Sequence, residues 1–264
     1  MTRLRADVAL VERGLYPSRE RARAAIMAGE VRADGEVVRK AGEPVTAGTV
    51  FEIAPGQAYV SRGGLKLEGA LDAFGLDVSG VRAIDVGAST GGFTDCLLQR
   101  GAVEVTAVDV GYGQLAWSLR KDERVRVFER TNIRTADPAL LGSGFDLAVV
   151  DVSFISLEKV LPHVVPLLGQ SGDLVALVKP QFEAGKGRVG KRGVVRDRAV
   201  HEEVLRSAAD AARGCGLVVR GLTWSPLRGP EGNIEFWLWA ARNGDEAPAD
   251  PAEVVAGAHA ELGE

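Results

Sequence analysis

Residues 83–93 read Ala83-Ile84-Asp85-Val86-Gly87-Ala88-Ser89-Thr90-Gly91-Gly92-Phe93: an apolar run, a glycine-rich turn and the first residues of a helical pattern. A short apolar strand that passes through glycines into a helix is the first crossover of a doubly wound α/β sheet, whose ligands bind at the carboxyl ends of the strands. The spacing Gly87-x-x-x-Gly91-Gly92 departs from G-x-G-x-x-G, and the lysine of a phosphate-binding loop is missing, so dinucleotides and nucleoside triphosphates are disfavoured. Asp109 ends the next apolar run, where a carboxylate can accept hydrogen bonds from both hydroxyls of a ribose. Asp85, before the first glycine, suits a ligand with a cationic amino-acid part. S-adenosylmethionine, a nucleoside with an amino acid and no pyrophosphate, meets these conditions.

Outward from this segment, apolar strands alternate with amphipathic helices over residues 61–241, which predicts an α/β domain with a parallel sheet covered on both faces. Strands are expected at 82–86, 103–109, 125–129, 146–151, 173–178, 217–223 and 234–240. The clearest helices are expected over Gly92 to Gln99, Gln114 to Leu119, Leu157 to Leu168 and Arg198 to Ala212. Residues 1–55 differ. Leu4, Val8 and Val11 have helical spacing before Gly14, and Ser18 can cap a second helix with the apolar stripe Ala22, Ala25, Ile26. Asp34-Gly35 is a hairpin-turn signal between Val31 and Val37-Val38. Together with a strand at Val50-Phe51-Glu52-Ile53 these make a small α+β domain, joined by a linker at 56–60. Residues 242–264 are expected to be an acidic, mobile tail.

The net charge of −4 is unevenly spread. Residues 241–264 set one arginine against six carboxylates, a balance of −5, which leaves +1 on the rest of the chain. Residues 1–40 carry nine bases and six acids, and residues 186–198 carry six bases against Asp197. Arg19, Arg21 and Arg23 fall off the apolar stripe of the second helix, where phosphate can meet them. Arg3 and Arg5 precede them. Lys186, Arg188, Lys191 and Arg192, interleaved with glycines, form a second basic segment suited to clamping RNA. The N-terminal residues lack the apolar run of an export signal, and no apolar run is long enough to span a bilayer, so a cytoplasmic protein without membrane insertion is expected. Cys96 and Cys215 are far apart and show no metal-ligand spacing, so neither a disulfide framework nor a metal site is expected.

Four polar residues interrupt the core pattern. Asp151 ends the strand Ala148-Val149-Val150, Lys179 ends Leu177-Val178, Glu235 lies in the last strand and Lys66 precedes the fold. Strand ends converge on the ligand crevice, so Asp151 and Lys179 should face the cofactor. Methyl transfer to a sugar hydroxyl needs in-line attack and a group to take up or stabilise the hydroxyl proton. A lysine kept neutral by burial and a neighbouring cation could do this, with carboxylates holding it in place. His163, His201 and His259 are scattered, and Trp117, Trp224, Trp237 and Trp239 are expected in the core or on strand faces.

The runs Ser61-Arg62-Gly63-Gly64-Leu65-Lys66-Leu67, Asp85 to Thr94, Asp109-Val110-Gly111-Tyr112-Gly113-Gln114-Leu115, Asp151-Val152-Ser153-Phe154-Ile155-Ser156, Val178-Lys179-Pro180-Gln181-Phe182-Glu183 and Gly232-Asn233-Ile234-Glu235 resemble, in order, the motifs of the TlyA family. The first 54 residues resemble the RNA-binding fold of ribosomal protein S-four. The resemblance implies a Rossmann-like, FtsJ-like domain that methylates ribose 2′-hydroxyls of ribosomal RNA within ribosomal subunits. The target would be cytidine, in the large and in some members also the small subunit. It places a catalytic tetrad on Lys66, Asp151, Lys179 and Glu235, and cofactor binding on Asp85, Gly87, Ser89, Gly91, Gly92, Phe93, Asp109 and Asp151. A monomer is expected. The family often has Arg-x-Trp-Val in the linker where this chain has Gln57-Ala58-Tyr59-Val60. The alternatives are a non-catalytic ribosome-assembly factor, against which the intact tetrad argues, and a membrane-active toxin, for which no amphipathic or spanning segment is found.

Overall fold

A computed structural model describes residues 3–16, 18–27, 29–53, 58–185, 187–247 and 250–263. The chain forms two compact units, Met1–Ala58 and Tyr59–Glu264. Gly56 and Gln57 of the expected linker lie outside the described residues.

The N-terminal unit runs β1 (Leu4–Arg5), α1 (Ala6–Glu12), α2 (Arg19–Met27), β2 (Val31–Ala33), β3 (Glu36–Val37), β4 (Pro44–Val45) and β5 (Phe51–Ile53). Ala6, Ala9 and Leu10 of α1 pack with Ala22, Ala25 and Ile26 of α2, and Val31, Val38 and Val45 close this core. At the predicted hairpin, Asp34 and Gly35 have φ of 52° and 85°, the pair of left-handed residues that a tight two-residue turn demands. Strand β2 pairs with both β3 and β5, and β1 with β4. Arg19, Arg21 and Arg23 are exposed, as their place off the stripe predicts. Asp7 is fully buried. Arg5 grips it with two hydrogen bonds of 2.9 and 3.1 Å, and Arg19 adds a third of 3.1 Å. The Arg5 hydrogen bond leads in holding the Asp7 carboxyl down at about 2, against the opposing effect of burial. Two arginines expected to meet RNA thus also neutralise an internal carboxylate.

The second unit begins with α3 (Arg62–Phe74) and continues β6 (Arg82–Val86), α4 (Gly92–Gln99), β7 (Glu104–Val108), α5 (Trp117–Arg120), β8 (Val125–Phe128), α6 (Pro138–Leu141) and β9 (Phe145–Val150). There follow α7 (Leu161–Val164), β10 (Leu168–Val178), α8 (Pro180–Glu183), α9 (Arg198–Gly214), β11 (Val218–Trp224), β12 (Phe236–Ala241) and α10 (Pro251–Leu262). The seven-stranded sheet has the order β11-β12-β10-β9-β6-β7-β8. The order reverses between β6 and β9, the switch point at which such sheets open a crevice. One face of the sheet is covered by α9 and by the segment from Leu157 to Leu168, around Phe145, Ile84 and Phe236. The other carries α3 and α4 around Leu67, Leu97 and Trp237.

Several expectations need correction. β12 runs antiparallel to both β10 and β11, so the sheet is not wholly parallel. The connection from β11 to β12 carries no helix, and only an antiparallel return can be made without a crossover element. Glu235 consequently sits just before β12 rather than inside it. Lys66 does not precede the fold but lies in α3, whose Leu67, Ala70 and Leu71 are buried at helical spacing. The helix expected over Leu157 to Leu168 is broken, because Pro162 and Pro166 interrupt regular hydrogen bonding and leave α7 between two short 3₁₀ turns. Trp117 is 69% exposed, with the Lys121 ammonium 4.9 Å from its ring.

The acidic end is not a mobile tail. Asp250 caps α10 through the Ala252 N–H, Val255 and Ala258 are buried in the main core, and Trp224 donates to Glu261 at 3.2 Å. His201 and His259, 58 residues apart, meet at 3.0 Å. The His201 Nε2 lies 3.2 Å from the Val195 carbonyl, which can only accept, so His201 carries its proton on Nε2 and accepts from His259. Among the described residues no helix is long and apolar enough to cross a membrane. Val255→Asp should destabilise this unit by more than about 2 kcal/mol, since it buries an unpaired charge under α10. A thermal midpoint equal to that of the wild type would mean that α10 contributes nothing to the core.

Candidate active site

Gly87, the first residue after β6, has φ of 92°, and a side chain there would stand 2.2 Å from the Asp151 carbonyl oxygen. Only glycine lets the ends of β6 and β9 come this close. The opening so formed is a cleft of about 450 Å³ lined by Gly87, Ser89, Asp109, Gln114, Asp151 and Phe154, among others. The Asp109 carboxylate accepts from the backbone N–H of Ser89 at 2.7 Å and of Gly111 at 2.6 Å. Both bonds fix its plane at the cleft wall.

Asp85 is fully buried behind this wall. Its Oδ2 accepts from the Thr94 N–H at 3.0 Å and the Thr94 hydroxyl at 2.7 Å, while Oδ1 is buried with no partner. Burial pushes the Asp85 carboxyl up to about 7, with smaller contributions from Asp151 and Asp109, against the stabilising pull of Thr94. A buried carboxylate with one idle oxygen suits a cationic group, and the glycine cradle suits a close backbone approach. The residues present therefore fit an amino-acid nucleoside. Phe93 and Gly92 do not line the cleft. Phe93 is buried against Trp237, with ring centroids 5.5 Å apart, and a side chain at Gly92 would collide with Ser61. Gly91 is likewise closed off by Leu115 and Leu119.

At the strand ends, register brings the polar residues together. Val178 of β10 faces Phe236 of β12, so Lys179 and Glu235 continue adjacent strands, and β9 delivers Asp151 on the other side of β10. Lys179 Nζ is ion-paired with Asp151 and donates to Ser153 Oγ at 3.1 Å. Lys66 reaches Glu235 from α3 at 2.5 Å, in a pair whose carboxylate is 1% exposed. Each lysine is thus matched with a carboxylate that holds it in place. Ser153 and Thr94 are partners that sequence reading missed, because a lone hydroxyl, in a loop or on a helix, carries no distinctive signal.

Phe154 follows on the same loop. It is 90% exposed, with φ of 66°, and tilts against Phe182 at 4.9 Å. The basic segment is less open than its composition suggests. Arg188 donates to Glu203 of α9, at 2.6 Å for one of its bonds, and to the Ala184 carbonyl at 3.1 Å. Arg192 is exposed with φ of 62°, and Lys186 and the Lys191 side chain lie outside the described residues. Tyr59 is buried in the space over Gly64 and donates to Glu68 at 2.7 Å. Among the described residues no group of three or more His, Cys, Asp or Glu could hold a metal ion.

A sheet of this order, with a glycine turn, an acidic wall and lysine–carboxylate pairs at its carboxyl edge, defines a methyltransferase-type domain. Residues 59–242 match the FtsJ-like methyltransferase family, and residues 4–51 match the S4 domain. The chain is 49% identical to the 16S/23S rRNA (cytidine-2′-O)-methyltransferase TlyA of Mycobacterium tuberculosis, over 93% of this chain and 92% of that protein. It is 39% identical to hemolysin A of Brachyspira hyodysenteriae, over 88% of this chain and 98% of the other. The solved structure of a Streptococcus thermophilus protein that carries a hemolysin label is 45% identical, with a TM-score of 0.75 over 99% of this chain and 98% of that one. The chain belongs to the TlyA family of FtsJ-like methyltransferases.

The raised Asp85 carboxyl links stability to pH. The folded chain holds a proton there up to about 7, whereas the unfolded chain releases it near the ordinary carboxylate value, so this stability is complete below about pH 4 and is lost as pH rises through about 7. In urea unfolding of the ligand-free protein, the stability of the wild type relative to Asp85→Asn should fall by about 2–3 kcal/mol between pH 5 and pH 8. A difference that stays constant over this range would assign the slope to other groups.

Proposed function

We propose that this chain transfers a methyl group from S-adenosylmethionine to a ribose 2′-hydroxyl of ribosomal RNA, on cytidine, in the large and also the small ribosomal subunit. The observation that carries this reading is the meeting of two lysine–carboxylate pairs, Lys179–Asp151 and Lys66–Glu235, at the edge of a nucleoside-sized cleft. Asp109 would take the ribose hydroxyls of the cofactor, and the idle Oδ1 of Asp85 the cationic amino-acid end. Bound there, the cofactor supplies a methyl carbon on a positively charged sulfur. Lys179 has two of its three Nζ directions taken by Asp151 and Ser153; with one proton given up to solvent, the amine's lone pair in the third direction would take the 2′-hydroxyl proton as the oxygen attacks the methyl carbon. Lys66 and Glu235 brace the far side of that position. The exposed ring of Phe154 offers a face on which a target base can stack, a contact worth about 1–3 kcal/mol in single-strand binding.

RNA affinity would come from the N-terminal unit, through the exposed Arg3, Arg5, Arg19, Arg21 and Arg23, and from the basic segment of the second unit whose sequence holds Lys186, Arg188, Lys191 and Arg192. With rRNA as its substrate the enzyme would act in the cytoplasm, and we propose that it does so as a monomer. The direct test is incubation with ribosomal subunits and labelled S-adenosylmethionine, followed by mapping of the labelled nucleotide. Lys179→Ala should lower methyl transfer by about 10²–10⁴-fold, the usual share of a positioned proton acceptor, with cofactor affinity by calorimetry little changed. Near-normal turnover in this variant would remove Lys179 from the chemistry.

Arg21 and Arg23 make no contact with Asp7, so they separate RNA binding from folding. Replacing both with Ala should make the slope of log affinity against log salt shallower by up to about 2, at roughly 0.9 or less per phosphate contact. An unchanged slope would show that α2 does not touch RNA.

A further inference from the structure

The loop from Val152 to Ser156 forms one lip of the cleft, yet among the described residues none of its N–H groups donates to a backbone carbonyl. It starts where the Asp151 N–H donates to the Val86 carbonyl at 2.9 Å. It ends where the Leu157 N–H, the first donor of the following 3₁₀ turn, meets a side chain: Glu183 Oε1 at 2.9 Å. Between these points Val152 and Ile155 lean on the core, Lys179 reaches Ser153, and Phe154 rests on Phe182. Glu183 closes the same short helix that Lys179 precedes, and its backbone N–H donates to the Lys179 carbonyl at 3.2 Å. One carboxylate thus joins the far end of the Asp151 loop to the segment that carries the lysine.

We propose that Glu183 is a positioning residue for methyl transfer, which sets the distance between the Lys179 segment and the loop bearing Ser153 and Phe154 by accepting the Leu157 N–H. A loop with no backbone ladder has its course decided by its ends and by a few side chains. Phe154 sits in the left-handed region, unfavourable for an aromatic residue, and such a conformation persists only where its surroundings hold it. Without the Glu183 acceptor the loop can relax toward ordinary backbone angles, taking Ser153 off the Lys179 Nζ. Burial pushes the Glu183 carboxyl up to about 7, a rise that the Leu157 N–H opposes and nearby Glu158 adds to. Both its ionised and its neutral forms keep an oxygen for Leu157, so an acceptor, not a charge, is what the geometry uses. Glutamine reproduces that acceptor and alanine removes it.

The role in catalysis rests on the methyltransferase reading, but the effect on the loop can be measured without turnover. Hydrogen exchange of the free enzyme should show the hydrogen-bonded amides at the loop's end, Leu157, Lys159 and Val160, exchanging at least about tenfold faster in Glu183→Ala than in the wild type, with β6 and β9 unchanged. Glu183→Gln should stay within about threefold of the wild type. In the rRNA assay kcat should follow the same order, with Glu183→Ala reduced at least about tenfold and Glu183→Gln close to the wild type. Wild-type exchange in Glu183→Ala, or equal damage in both variants, would overturn the assignment. Wild-type kcat in Glu183→Ala alongside faster exchange would overturn the catalytic part. If no variant, nor the wild type, methylates RNA while exchange responds as expected, the fault lies in the functional reading and not in the loop contact. Should Glu183→Ala fail to fold, Glu183→Asp replaces it. Its shorter arm withdraws the acceptor, so the Leu157 amide must exchange faster in Asp than in Gln, and equal rates would overturn the assignment.

Discussion

A carboxylate as inaccessible as that of Glu235 cannot be left alone in a protein interior. Desolvating it costs several kcal/mol, and the cost is offset only by a partner with good geometry. Lys66 is that partner, and it comes from α3, 169 residues earlier in the chain. The pair therefore binds the first helix of the second unit to the start of its last strand. Around that tie, register does the rest: β12 lies against β10, β10 against β9, and β9 against β6. Four charges from four distant segments come to one edge because the sheet leaves them no other place.

The antiparallel course of β12 has a chemical consequence. A parallel strand would present its carboxyl end at this edge, whereas β12 presents its beginning, and so a residue preceding the strand can face residues that follow β9 and β10. The closeness of β6 and β9 at Gly87 is a second constraint of the same kind. It leaves room for a ligand's backbone contact and none for a side chain. Asp85 then stands behind the opening with one oxygen satisfied and the other idle, an arrangement that is costly to the empty protein and useful to a site for a cation.

The smaller unit shows how a basic surface is built over a buried acid. Asp7 would be a liability in that core without Arg5 and Arg19, whose half-exposed guanidinium groups close over it. These side chains are therefore held in place rather than waving in solvent, and a phosphate binding there would cost them less entropy. At the other end of the chain, α10 turns what composition marks as a polar tail into part of the core, through two small apolar residues and a histidine pair.

Local pattern decided a good deal of this protein. The strand, glycine turn and helix at 83–93, the hairpin at Asp34-Gly35, and the alternation of strands and helices follow from side-chain periodicity and backbone sterics, which act over a few residues. Strand ends could be named for the same reason, so Asp109 and Asp151, which line the cleft, and Lys179, which pairs with Asp151, could be placed there from local pattern. Other features depend on long-range pairing, which no local pattern encodes. The direction of β12, the placing of Lys66 on a helix, the docking of α10 and the removal of Phe93 into the core belong to this class. So do the choice of partner for each lysine, the diversion of Arg188 onto Glu203, and the support that Thr94, Ser153 and Glu183 give to their neighbours. A carboxylate's partner is chosen by which segments the packed core brings within 3 Å, and residues far apart in the chain acquire that distance only when the whole sheet closes.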